Sequence, residues 1–383
     1  MKPISAKFNA QQWCNLAKFD EGKHSLLITD VAAHDFYGGQ CPNDLGGHEL
    51  NTFSVGYHTD DSLPSYNDPL FLQCFENALL DYTYHTVFFD LPDRRGEPKN
   101  YRLGIEKMLD LLAVYQPQAH LIWVDSTMES PVGRELCEAR DGSYANMIGK
   151  RREDLEVLAA EIAKLPLANR AVGERALAPA TLSAYREAMY WCIYDMDDYT
   201  EDDLRRRVLL IGDSICFGYY RPSRKLLHDD YIVDTYAMSF APADPAVFRN
   251  LLPILRAHHY DAIHINLGMH QCDIDAAEGG YENAIRSVLG AIRAECPDTA
   301  ICFATTTTIM KSDDLTQFSD ETFGWVTDRN HAAKRVCAEF SMPMDDLFTL
   351  CFEKKPEKAD THHFKDSTLL AEQVADSVRS LFA

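Results

Sequence analysis

Apolar residues along this chain follow two alternating patterns: short continuous runs, and longer segments in which they recur every three or four positions. In the first half, residues 25–28 and 120–124 read as strands, 86–89 as a buried strand, and residues near 51–56 as a further strand candidate. Residues 69–80, 101–114 and 151–164 keep the helical period, and 185–194 reads as a further apolar helix. Residues 38–47 and 92–100 are loop-like, and 195–203 reads as an acidic, exposed linker. The second half repeats the order, with strands at 208–211, 232–237, 262–267 and 300–305 and helices at 245–257, 281–294, 329–340 and 367–382. Strands alternating with helices of this length imply a parallel sheet covered on both faces.

The two halves also agree in detail. YHTVFFDL at 84–91 lies beside YDAIHINL at 260–267, and Tyr101 stands before Trp123 as Tyr281 stands before Phe303. Residues 125–128 fall where 305–308 fall, and 151–162 matches 329–340. The offset stays within roughly 176–183 positions, the mark of a tandem duplication.

The stretch with chemical promise is RRRVLLIGDSICFGYY, residues 205–220. Its apolar run ends in Gly212-Asp213-Ser214-Ile215, and a helical pattern follows up to Leu227. A serine there stands at the carboxyl end of a strand and at a helix N-terminus, the edge where open α/β sheets place ligands. Near the C-terminus, Ala359-Asp360-Thr361-His362-His363-Phe364 contains Asp-x-x-His. A histidine can take the serine's proton while the aspartate holds the imidazole tautomer. His362 is the rival to His363 for that role. Asp213 reads as a carboxylate that stabilises the turn.

Gly-Asp-Ser-Ile after a buried strand, with Asp-x-x-His before a last helix, resembles the SGNH (GDSL) hydrolases over roughly residues 205–383. The resemblance implies Ser214 as nucleophile, His363 as base and Asp360 as its orienter. It also implies an oxyanion hole built from the Ser214 N–H, a glycine N–H after the second strand, and an asparagine side chain. This sequence departs from the last two. Ser239 or Phe240 stands in the glycine's place, and His270 stands where the asparagine is expected, with Asn266 as a further candidate nearby. A neutral histidine can still donate one hydrogen bond. Thr305 to Thr308 line the site's edge without catalytic duty, and Trp325, in the loop before the 329–340 helix, is either core or a stacking platform.

The expected fold is therefore α/β, with two tandem flavodoxin-like, SGNH-type three-layer domains with parallel sheets, at 1–200 and 201–383. The first lacks the chemistry. Val31 lies where Ser214 lies, no Asp-x-x-His precedes its last helix near 172–177, and Pro92 and Arg94 occupy the places of the third block. His34, Asp35 and His58 are loop histidines and a loop carboxylate.

Composition narrows the function. A formal charge of −22 over 383 residues opposes binding to nucleic acid or to an anionic membrane surface. The first residues show no apolar leader, and no stretch nears the ~20 apolar residues of a bilayer span. The 11 cysteines are scattered without metal-ligand spacing, and most lie in apolar runs. A reduced, cytoplasmic protein without metal or organic cofactor is expected. The expected activity is hydrolysis of a small acyl ester, an acetate by the resemblance, on a carbohydrate or small molecule. The alternatives are a degenerate relative that binds a glycan or acylated partner without turnover, and a two-domain scaffold.

Overall fold

The computed structural model describes residues 24–30, 36–37, 44–45, 48–55, 66, 69–79, 84–93, 98–168, 191–197, 203–270 and 280–383. Two compact units divide these residues, one up to Met196 and one from Asp197 to Ala383. The N-terminal unit contains β1 (His24–Asp30), β2 (Asp44–Leu45), β3 (His48–Val55), α1 (Pro69–Leu79) and β4 (Tyr84–Asp90). It continues with α2 (Pro98–Tyr115), β5 (His120–Asp125), α3 (Pro131–Glu138), β6 (Ser143–Asn146), α4 (Arg152–Ile162) and β7 (Trp191–Asp195). Its parallel strands run in the order β7-β3-β1-β4-β5-β6, and β2 pairs antiparallel with β3.

The C-terminal unit contains β8 (Arg206–Gly212), α5 (Ser214–Leu227), β9 (Tyr231–Met238), α6 (Pro245–Ala257), β10 (Ala262–Asn266) and α7 (Gly280–Glu295). Then follow β11 (Ala300–Ala304), α8 (Asp320–Glu339), β12 (Met344–Asp345), α9 (Leu347–Lys354) and α10 (Thr368–Ser380). Its strands are all parallel, in the order β12-β11-β10-β8-β9. Counted from β8 this is 2-1-3-4-5, the flavodoxin-like order. Val208, Leu209, Leu210 and Ile211 of β8 are fully buried, each contributing about 1.5–3 kcal/mol by leaving water. The helices form two packed sets, α5 with α10, and α6 with α7 and α7 with α8. Because β9 and β10 flank β8 on opposite sides, the chain reverses direction across the sheet at β8. Ligand crevices open at such a point.

Several elements differ from the sequence reading. The expected helix at 185–194 is the strand β7 where it is described. Trp-Cys-Ile-Tyr is aromatic and β-branched, too short for a helix, and every residue of β7 is buried. The acidic linker at 195–203 is not exposed at its start: Asp195 closes β7 fully buried. Asp197 is also buried, accepting from Val233 N–H at 2.8 Å and lying 3.9 Å from Arg224. The 329–340 helix begins at Asp320, so Trp325 lies inside a helix and not in a loop. The short elements α3, β6, β12 and α9 were not legible in the periodicity.

The matching of 151–162 with 329–340 also needs correction. α4 follows β6, whereas residues 329–339 end α8, before β12; the helix in the corresponding place is α3. The two helices α3 and α8 end in the same way. Gly142 N–H donates to the Cys137 carbonyl at 3.0 Å, and Met342 N–H to the Cys337 carbonyl at 2.9 Å. In each case the residue before, Asp141 or Ser341, has positive φ, at 58° and 54°.

Candidate active site

β8 delivers its last residue, Gly212, into a confined turn. A Cβ on Gly212 would lie 2.3 Å from the Cys216 Cβ and 2.8 Å from the Asn266 carbonyl, so no larger residue fits. Asp213 follows as the N-cap of α5 and accepts from Ile215 N–H at 2.9 Å. Its other carboxylate oxygen faces the loop after β10, accepting from Gly268 N–H at 3.4 Å and Met269 N–H at 3.2 Å. Ser214 is therefore the first helical residue, where backbone N–H groups have no partner within the helix. It is half-buried.

Its partners arrive on a small hairpin over residues 357–365. Lys358 and Phe364 pair across it, Ala359 N–H donates to the His363 carbonyl at 2.8 Å, and Lys365 N–H to the Glu357 carbonyl at 3.0 Å. Asp360 folds its carboxylate over the turn. One oxygen accepts from the N–H groups of His362 and His363, both at 2.8 Å, and the other meets His363 Nδ1 at 2.7 Å. His363 Nε2 lies 2.8 Å from Ser214 Oγ. Partial burial works to raise the Asp360 carboxyl. The His363 amide and ring and the His362 amide outweigh it and hold the carboxyl at about 2. An ionised carboxylate only accepts, so the His363 proton sits on Nδ1, and Nε2 accepts from the serine hydroxyl.

Among the expected site residues, Ser214, His363 and Asp360 thus form one hydrogen-bonded chain. The others occupy the same sheet edge. Gly212 pairs with Ala237 of β9 and with Asn266 of β10, which puts Ser239 and Phe240 just past one neighbouring strand and Asn266 at the end of the other. Ser239 and Phe240 are buried, and the Asn266 amide donates to the Thr305 carbonyl at 3.1 Å, tying β10 to the end of β11. His270 is half-buried and near enough to His362 for its charge to bear on that ring. His362 bonds Thr361 Oγ1 at 2.7 Å, not the serine. Burial first, then the charge of His363, push the His362 ring down to about 3.

Three features were missed by the sequence reading. Asp213 has the second bonding direction described above. Arg329 is buried, donates to the Gly268 carbonyl at 2.6 Å, and lies 3.9 Å over the Trp325 ring, so that ring's face is already covered. Lys358, within the hairpin, is also buried. A basic residue in a polar stretch carries no periodic signal of burial, so nothing in the sequence marked either cation.

The N-terminal unit offers a different edge. Asp90 ends β4 as Asn266 ends β10, and accepts from Tyr37 at 2.8 Å and from the Ser126 hydroxyl. Pro92 accepts from Tyr66 at 3.3 Å. Val31, His34, Asp35, His58, Arg94 and residues 172–177 lie outside the described residues. Among the described residues no helix is long and apolar enough to cross a membrane.

A serine–histidine–aspartate chain at the reversal point of a parallel α/β sheet is the arrangement this unit presents. Solved structures to which the chain is similar include a GDSL-like lipase from Parabacteroides merdae, 14% identical, matched over 48% of this chain and 100% of that one with a TM-score of 0.40. A lipase/acylhydrolase from Enterococcus faecalis is 16% identical over 46% of this chain and 96% of its own, with a TM-score of 0.38. A carbohydrate acetylesterase from Sinorhizobium meliloti is 15% identical over 46% of this chain and 100% of its own, with a TM-score of 0.37. No family model matches the chain, and no curated protein matches it.

Proposed function

We propose that the C-terminal unit is a serine ester hydrolase of the SGNH (GDSL) type. The observation that carries this reading is the continuous chain from Ser214 Oγ through His363 to Asp360. Ser214 attacks the acyl carbon while His363 Nε2 takes the hydroxyl proton, and Asp360 stabilises the imidazolium. The tetrahedral oxyanion is faced by the Ser214 N–H, by the turn at Ser239–Phe240 and by His270. Collapse breaks the ester C–O bond, and the alcohol leaves with the proton from Nε2. Water, deprotonated by the same nitrogen, then attacks the acyl-serine and releases the acid. Asn266, whose amide holds the Thr305 carbonyl, has the supporting role of fixing the strand edge. In this reading the substrate is a small acyl ester, an acetate on a carbohydrate, as the resemblance of the motifs implies.

The N-terminal unit is read as a second copy of the same fold that has lost the relay. Supporting this, β3-β1-β4-β5-β6 repeats the order β9-β8-β10-β11-β12. Tyr101 donates to the Leu91 carbonyl at 2.6 Å, and Tyr281 to the Leu267 carbonyl at 2.7 Å.

Hydrolysis of 4-nitrophenyl acetate by the wild type and by Ser214→Ala tests the activity. Loss of at least about 10⁴-fold in the variant is expected. Equal, negligible rates, with no labelling of the wild type by a fluorophosphonate, would remove the esterase reading and favour a protein that binds a glycan or an acylated partner without turnover.

A further inference from the structure

The hairpin bearing Asp360 and His363 is held by a lysine that the relay does not use. Lys358 is 4% exposed. Its Nζ donates to the Thr308 carbonyl at 2.9 Å and the His362 carbonyl at 2.6 Å, and lies 3.6 Å from the Phe364 ring centre. A buried ammonium is unfavourable unless its hydrogens find partners, and two carbonyls and an aromatic face supply them. The carbonyls belong to different segments. Thr308 follows β11 in a buried stretch where Thr306 exchanges hydrogen bonds with the Asn330 amide, at 2.8 and 3.1 Å. His362 stands between the two relay residues. Met310 N–H, donating to the Thr361 carbonyl at 2.9 Å, runs beside this link.

We propose that Lys358 is a positioning residue, whose charged side chain staples the relay hairpin to the segment after β11 and so sets the distance of His363 from Ser214. The inference rests on the reading of Ser214, His363 and Asp360 as a hydrolytic relay. A misplacement of ~1 Å at such a distance lowers turnover by about 10²-fold. Charge matters as well as reach. Burial pushes the Lys358 ammonium down to about 8, against the negative charge of Asp360, which draws it upward. The groups facing it are Asp360 and His362 of the hairpin and Cys351 of α9. Asp360 is held ionised, burial keeps His362 neutral, and burial pushes the Cys351 thiol up to about 12. Lys358 is therefore the member of this group that changes charge near pH 8.

The test compares wild type, Lys358→Met and Lys358→Arg on 4-nitrophenyl acetate across pH 6–9.5, with the uncatalysed rate subtracted and folding checked by circular dichroism. Lys358→Met is expected to lower kcat by about 10–100-fold with KM within about threefold, and Lys358→Arg to restore kcat to within about threefold. Wild-type activity should fall above pH about 8, whereas the arginine variant, charged throughout, should keep its activity. Wild-type kcat in Lys358→Met, or the same alkaline behaviour in wild type and Lys358→Arg, would overturn the proposal. If Lys358→Met does not fold, the alkaline comparison decides alone. A wild type that neither hydrolyses the ester nor takes a fluorophosphonate on Ser214 overturns the relay reading and the role of Lys358 with it. A labelled, active wild type beside an unaffected Lys358→Met overturns only the latter.

Discussion

Asp213 holds Met269 and Ile215 with opposite oxygens of one carboxylate, at 3.2 and 2.9 Å. The residue before the candidate nucleophile thus caps the helix that presents Ser214 and braces the loop that leads to His270. Removing it should be felt in both places. Asp213→Ala is expected to lower stability by about 1–2 kcal/mol through the lost cap. It should also lower kcat/KM by about 10–100-fold, because the loop after β10 loses its acceptor. Urea unfolding and ester hydrolysis read the two effects separately.

The adjacent histidines should separate cleanly. His363→Ala is expected to abolish turnover to the level of Ser214→Ala, and Asp360→Asn to lower kcat by about 10³–10⁴-fold by releasing the ring tautomer. His362→Gln should keep kcat within about tenfold, since its ring bonds Thr361 and not the serine. Initial rates on one acetate ester decide the matter. A larger loss in His362→Gln than in His363→Ala would reverse the assignment.

Asp90 gives the N-terminal unit a pH signature. Burial raises its carboxyl to about 7, against the hydrogen bonds from Ser126 and Tyr37, with the charge of Asp30 adding to the rise. The folded state then keeps a proton that the unfolded chain releases from pH about 4 upward. The resulting stabilisation is full below that pH, is lost as pH rises through about 7, and is flat beyond. Thermal unfolding of the full chain from pH 4 to 8 should show this decline, and Asp90→Asn should lack it.

Much of this arrangement was legible because it rests on strong local signals. The apolar run at 208–211 is a strand because nothing polar interrupts it, 262–267 still holds one although His264 and Asn266 stand within it, and Gly-Asp-Ser at the end of the first placed Ser214 at the sheet edge. Asp360 and His363 were legible because their bonds form within one short turn. The failures have physical causes too. β7 was read as part of a helix because a short apolar run has no period of its own. Trp325 was read as a loop residue because α8 starts among polar residues that hide its first turns. Arg329 and Lys358 escaped because burial of a cation depends on carbonyls distant in sequence, which no periodicity records.

The hairpin at 357–365 makes the acid–base pair a self-contained cassette. The bond between Asp360 and His363, and the amides that orient the carboxylate, are all written in consecutive residues. Remote mutations that shift the hairpin as a body would leave this pair intact and alter one quantity, its separation from the serine. Such a site fails by detuning rather than by dismantling. Lost activity in distant variants should therefore be recoverable by second-site changes that restore that single spacing, without touching any reacting group.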